Sequence, residues 1–263
     1  MSINKEEILK GVTKIEDKVL ASRLLDKAEQ CHYSSFVYSD FLTPYEAALA
    51  KRILSKVELL HVAFWGGYQD AERVVAVISQ DIIFEEDVQH NVNLAFIEIV
   101  LSSEKAMSHR DYLGSLLGLG IRREKIGDIL VEEGKGTVIV HDQIADFIVY
   151  NIEKIGNVKA SCHRISSFEF MPPKKQEKMI TSTVASLRAD AIASSGFGIS
   201  RTKILDYFKS QRVSINWETI QNPAKMLAEG DVISIRGLGR MVLEKVGGTT
   251  KKDRISILIK RYI

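Results

Sequence analysis

The chain has 263 residues, 45% of them hydrophobic and 27% charged, which fits a globular protein with room for two or three cores. No apolar run approaches the roughly 20 residues needed to span a bilayer, and the opening MSINKEEILKG has no apolar core to read as a secretory signal. Two cysteines cannot form a disulfide framework, so the expected compartment is the reducing cytoplasm. The net charge of +2 hides a division: residues 181–263 hold 14 Lys and Arg against 7 Asp and Glu, while residues 1–180 hold 22 against 27. The seam is Pro172-Pro173-Lys174-Lys175. A basic segment behind such a seam is the electrostatic footprint of a nucleic-acid binder, although charge alone fits a solvated surface without a partner equally well.

Along the chain, Ile8, Val12, Ile15, Val19, Leu20 and Leu24 recur at helical spacing and predict a helix over 5–30. Thr43 and Pro44 read as the N-cap and first residue of a second helix. A short strand over 61–65 closes at Gly66-Gly67, and residues 1–70 are expected as a mainly helical N-terminal domain. Residues 71–170 alternate. Strands are predicted over 74–78 and 92–101, then a helix over 112–119 ending at Gly120. A hairpin over 126–131 and 137–140 turns at Gly134-Lys135-Gly136, a helix over 144–155 stops at Gly156, and a strand covers 159–165. This order predicts an α+β domain with helices on one antiparallel or mixed sheet. Residues 181–263 read as helices over 183–194 and 201–210, joined by Ser195-Gly196-Phe197-Gly198. Strands follow over 213–216, 232–236, 241–246 and 255–260.

The chemistry concentrates in that last segment. Ser200 is a good N-cap for the second helix. A helix N-terminus offers free N–H groups and partial positive charge to a phosphate, and Arg201 and Lys203 add formal charge there. Arg188, on the first predicted helix, can join the same surface. Ser214 and Asn216 alternate with Val213 and Ile215, so their polar tips face away from the core. A cap followed by Arg-x-Lys is also an ordinary solvated helix start. Cys31-His32 and Cys162-His163 invite a zinc reading, but adjacent residues on a strand point to opposite faces and do not converge on one ion. No phosphate-binding loop or metal box occurs, so no cofactor is expected.

In order, Leu187-Arg188-Ala189-Asp190, the segment from Gly198 to Leu205, Gln211-Arg212-Val213-Ser214-Ile215-Asn216, and Gly230-Asp231 through Gly237 resemble the S4 RNA-binding module over residues 181–245. The resemblance implies two helices on a small sheet that grip structured RNA. Its contacts carry over to Arg188, Ser200, Arg201, Lys203, Lys209, Arg212 and Asn216. One departure is that the module often has Gly where this chain has Ser210 or Gln211. Upstream, Asp40-Phe41-Leu42-Thr43-Pro44, Gly66-Gly67-Tyr68, Ala71-Glu72-Arg73 and the run from His109 to Ile129 resemble the bacterial YlmH family across essentially the whole chain. That family implies an RNA-recognition-type middle domain and an S4 domain over 181–263. It also implies association with the large ribosomal subunit and tRNA-bearing stalled complexes, in quality control, and a link to cell-division genes.

Within the middle domain, Arg122, Arg123 and Lys125 form a second basic cluster, read as a second candidate RNA contact or as solvated charges in a connection. The aromatic sheet signature of a standard RNA-recognition motif is missing, and Phe96 reads as core. The expected function is a non-enzymatic RNA binder whose partners are rRNA or tRNA, with no membrane. Two rivals are a pseudouridine-synthase-like RNA-modifying enzyme and a scaffold for division proteins. Against the first, fewer than about twenty residues follow Lys245, too few for a catalytic domain, and no catalytic residue is identified.

Overall fold

A computed structural model describes residues 3–103, 106–173 and 177–262. The chain divides into two compact units at Pro173/Lys174. Lys174 and Lys175 of the expected linker lie outside the described residues.

The first unit opens with α1 (Lys5–Lys10) and α2 (Ile15–Gln30), broken at Gly11, where one helix was expected. Helix α2 buries Ala21, Leu24, Leu25 and Ala28, and leaves Ile15 80% exposed. The predicted apolar stripe was therefore rotated, because the break resets the helical phase. Helix α3 (Pro44–Leu54) starts as expected: Glu46 N–H donates to Thr43 Oγ1 at 3.3 Å and Thr43 N–H donates to Glu46 Oε2 at 2.7 Å, a reciprocal capping box.

These helices cover a three-stranded antiparallel sheet of β1 (Val37–Leu42), β2 (His61–Trp65) and β3 (Val74–Ser79), in the order β1-β3-β2. Strand β3 was expected to open the central domain at residue 71. It is instead the middle strand of the N-terminal sheet, because its run of buried residues needs cover on both faces. Ala76 and Ile78 meet the helices, and Val75 and Val77 face the other way.

After α4 (Glu85–Asn91), which the periodicity did not reveal, come β4 (Leu94–Leu101), α5 (His109–Gly118), β5 (Ile126–Glu132) and β6 (Lys135–His141). Then follow α6 (Ala145–Asn151), β7 (Lys154–Ile155) and β8 (Val158–Ile165). The sheet order is β5-β6-β4-β8-β7 with antiparallel pairs throughout, the split β-α-β topology. Helix α6 ends at Asn151, before the expected stop. Gly156 (φ +57°) lies in the β7–β8 turn, where the left-handed backbone favours glycine.

Alternation along β4 assigns its two faces. Ala95, Ile97, Ile99 and Leu101 pack with Tyr112, Leu116 and Ile148 beneath α5 and α6. Phe96 points the other way and joins Phe41, Val75, Val77, Ile139 and Phe170. The two sheets thus meet face to face, and the unit is layered helix, sheet, sheet, helix.

The second unit is a six-stranded antiparallel sheet, order β11-β10-β12-β13-β14-β9, with α7 (Ala189–Phe197) and α8 (Arg201–Lys209) on one face. Its strands are β9 (Glu177–Val184), β10 (Val213–Ile215), β11 (Glu218–Thr219), β12 (Val232–Ile235), β13 (Gly239–Thr249) and β14 (Ile255–Tyr262). The helix expected over 183–194 begins only at Ala189. Residues 177–184 pair along their length with β14, so the unit starts earlier than residue 181. No helix among the described residues is long and apolar enough to cross a membrane.

Candidate nucleic-acid interface

Helix α7 buries Ala189, Ile192, Ala193 and Phe197, and α8 buries Ile204 and Phe208, while the first turn of α8, Arg201 to Lys203, is exposed. Gly198 (φ +67°) closes α7 and lets the chain reverse into α8. Ser200 caps α8 by accepting from Lys203 N–H at 3.4 Å.

Between the two helix starts lies a carboxylate to which the sequence reading gave no role. Asp190 is 1% exposed. Arg188 donates to it through Nε and Nη2, both at 3.1 Å. Arg201 donates through Nε to Asp190 Oδ2 at 3.0 Å, and its Nη2 lies 2.8 Å from the same oxygen. Each guanidinium spends one edge on Asp190 and keeps Nη1 for another acceptor. Arg188 is also the N-cap of α7, in extended conformation, and backbone bonds from Ala189 to Lys225 and from Leu227 to Leu187 hold that corner. Burial pushes the Asp190 carboxyl up, but the hydrogen bonds and charges of Arg188 and Arg201 outweigh it and leave it below its ordinary value. The result is two arginines fixed by a buried anion, beside the free N–H groups of α8 and the exposed Lys203, an arrangement able to receive a phosphate. The available signal was local: one acid inside a helix-forming run of a basic module.

The other expected contacts fall elsewhere. Lys209 is at the far end of α8, about 12 Å along the axis from Arg201, where it complements the helix dipole. Arg212 donates to Arg236 O at 2.7 Å and lies 4.9 Å from the Tyr207 ring centre. Asn216 clamps a turn: its Nδ2 donates to Asp231 Oδ1 at 2.8 Å and its Oδ1 accepts from Val232 N–H at 2.9 Å. The structure therefore groups Arg188, Ser200, Arg201 and Lys203, and separates Lys209, Arg212 and Asn216 from them.

In the first unit two of the three residues of the second basic cluster are drawn inward. Arg123 donates to Ile126 O at 2.5 Å, and burial, then Arg73, lowers its pKa to about 10. Lys125 pairs with Asp40 at 2.5 Å. Arg122 stays 63% exposed, 3.3 Å from Glu124. The remaining motif residues join the two sheets. Asp128 accepts from Tyr68 OH (2.7 Å), Glu72 N–H (2.7 Å) and Arg73 N–H (2.9 Å). The buried Arg73 side chain donates to Ile126 O and Phe41 O. A Cβ on Gly127 would meet the Phe41 ring at 2.6 Å, which is why glycine stands there. Phe96 is core, with its ring centre 4.8 Å from that of Phe170. The same face of β4 carries Glu98, which is 2.5 Å from Lys135 and 3.4 Å from His163. Among the described residues no His, Cys, Asp and Glu group could hold a metal, and both Cys31 and Cys162 are free thiols.

These features define an α+β protein with a sheet-on-sheet body and a separate basic unit of two helices on a sheet. The family model described as "YlmH, N-terminal" matches residues 16–82, and the one described as "Putative RNA-binding domain in YlmH" matches residues 88–169. The chain is 33% identical over 223 residues to "Ribosome-associated protein quality control protein P2" of Bacillus subtilis (strain 168), covering 85% of this chain and 86% of that one. The solved structure "Cell division protein ylmH from Streptococcus pneumoniae" superposes with a TM-score of 0.51 at 21% identity, over 60% of this chain and 96% of that chain. The chain belongs to the YlmH family.

Proposed function

We propose that this protein binds structured RNA, rRNA or tRNA, without catalysis, through the helix face of an S4-type C-terminal unit, and that it acts on the large ribosomal subunit in quality control of stalled complexes. The observation that carries the reading is the Asp190 fork, which holds Arg188 and Arg201 beside the α8 N-terminus. The charge division between the units and the printed name of the B. subtilis relative support it. A second reading, a division-associated scaffold, is favoured by the printed name of the S. pneumoniae structure.

Replacement of both Arg201 and Lys203 by Ala in the full chain tests the first reading. Binding to purified large subunits and bulk tRNA should weaken on the order of tenfold or more, and the salt slope of log K should drop by about 1.5. Normal circular dichroism with unchanged affinity would refute the helix-face assignment. Pseudouridine mapping of RNA incubated with the protein should show no new site. A modification that depends on one carboxylate would favour an enzyme instead.

A further inference from the structure

Two large apolar side chains of the second unit are exposed among the described residues. Met179 lies opposite Lys260, whose neighbour Ile259 points into the core, so it stands on the sheet face away from the helices. Met226 is 60% exposed and stands beside Arg188 of the Asp190 fork.

Backbone pairing puts it there. Arg188 and Met226 form an isolated antiparallel bridge. Ala189 N–H donates to Lys225 O and Leu227 N–H donates to Leu187 O, each at 2.9 Å, on either side of that bridge. Arg188 and Met226 are therefore a non-hydrogen-bonded pair, the closer kind. Side chains of such a pair share one face, with Cβ atoms roughly 4.5–5.5 Å apart. Leu187 and Leu227 turn into the core, so alternation sends Arg188 and Met226 outward together. The segment before Met226 is also fixed: Asp190 N–H donates to Pro223 O at 3.1 Å, and Ala224 N–H to Asn222 Oδ1 at 3.0 Å.

The charge beside Met226 is partly spent. Arg188 and Arg201 share the Asp190 carboxylate, which leaves the three side chains one net positive charge. A phosphate can use that charge but gains nothing from a thioether. A thioether makes a favourable contact with an aromatic ring. In RNA the faces of the bases are open where the strand is unpaired, whereas a duplex presents mainly ribose hydroxyls and phosphates to a protein.

We infer that the Asp190 fork and Met226 act together on an unpaired nucleotide, whose phosphate meets Arg188 and Arg201 and whose base packs against Met226. The inference rests on the reading of this face as an RNA site. It narrows the target to a bulge, a loop or a strand end rather than a continuous duplex.

The test uses the full chain in filter binding across a salt series. The probes are two hairpin RNAs with the same stem, one carrying a single-adenosine bulge, and purified large ribosomal subunits. The parent should prefer the bulged hairpin about fivefold, the scale of one thioether–ring contact. Met226→Gln keeps the length but removes the apolar tip and should abolish that preference; Met226→Leu should keep most of it. Neither variant should change the salt slope, since no charge is altered, or the melting temperature, since the side chain is exposed. A preference that survives Met226→Gln would overturn the inference. So would a Met226→Gln protein that melts lower and binds both hairpins equally weakly, the mark of a structural role. If the parent treats the two hairpins alike while the Arg201/Lys203 variant loses large subunits, the inference fails, Met226 is left to a protein partner, and the helix-face reading stands. If the parent binds neither hairpins nor subunits, both fall.

Discussion

A carboxylate buried in a basic unit is unfavourable unless its partners are fixed, and Asp190 has two of them. Its folded pKa lies below the unfolded value of about 3.9. The pairing therefore stabilises the fold fully above that pH, and the contribution is lost as pH falls through the lower folded value. Asp190→Asn keeps the shape but removes the charge and releases both guanidiniums. It should cost about 1–3 kcal/mol at pH 7, discounted because both arginines are partly exposed, and weaken RNA binding although Asp190 touches solvent hardly at all. Urea unfolding at pH 7 and pH 3 checks this: the gap between parent and variant should close in acid, and equal stability at pH 7 would contradict the account. Another residue-scale feature is Gln211. It occupies the position after the α8 cap with φ +55°, and Arg212 N–H donates to Tyr207 O while Gln211 N–H donates to Phe208 O. That is the double hydrogen bond of a Schellman ending. The departure from glycine seen in the sequence leaves the turn geometry intact, held by those bonds against the steric preference of a side chain.

At the scale of elements, the predicted helices and strands with strong local signals stand where expected. Thr43-Pro44-Tyr45-Glu46 starts α3 because cap, proline and glutamate act within one turn. Strand β9 shows the opposite case. Its Thr181, Thr183 and Val184 are β-branched, yet the helix is expected to begin at residue 183. Pairing with β14 decides the matter: Ile180 lies opposite Ile259 and Glu177 opposite Tyr262. A fragment of residues 174–263 should unfold as one cooperative unit, because its core is its own. A fragment of residues 181–263 lacks half of the edge ladder and should melt at least several degrees lower. Equal melting temperatures by circular dichroism would show that the Glu177–Ile180 pairing contributes nothing.

For the whole molecule, the decisive event is the meeting of two sheets. The sheet face that an RNA-recognition fold would leave open is occupied by Phe41, Val75 and Val77 of the N-terminal sheet. At the rim of this joint His141 packs against Phe41, ring centres 5.0 Å apart. Burial, then the charge of Lys125, lowers its pKa to about 4. It is neutral at pH 7, whereas in the unfolded chain it titrates near 6.5. Stability from this site is complete above about pH 6.5 and declines as pH falls toward 4, by about 3 kcal/mol in full. His141→Gln should flatten the pH dependence of unfolding of the first unit between pH 6.5 and 4.5. An unchanged slope in urea titrations would assign the acid sensitivity to other groups.

Composition and local pattern were enough for the α+β class, the charge division, the cap at Ser200 and the basic residues at the start of α8, because each depends on neighbours within a few positions. They were not enough for the partner of β3, the start of β9, or the different situations of Arg122, Arg123 and Lys125. Three cations within four positions look alike in a sequence. Only the packing of Asp40, Ile126 and Arg73 around them turns two inward and leaves one in solvent. Likewise Asp190 became a positioning residue only when α7 and α8 folded together and brought Arg188 and Arg201, thirteen positions apart in the chain, onto one carboxylate. Such contacts are set by long-range closure of the core, whose free energy no local window contains.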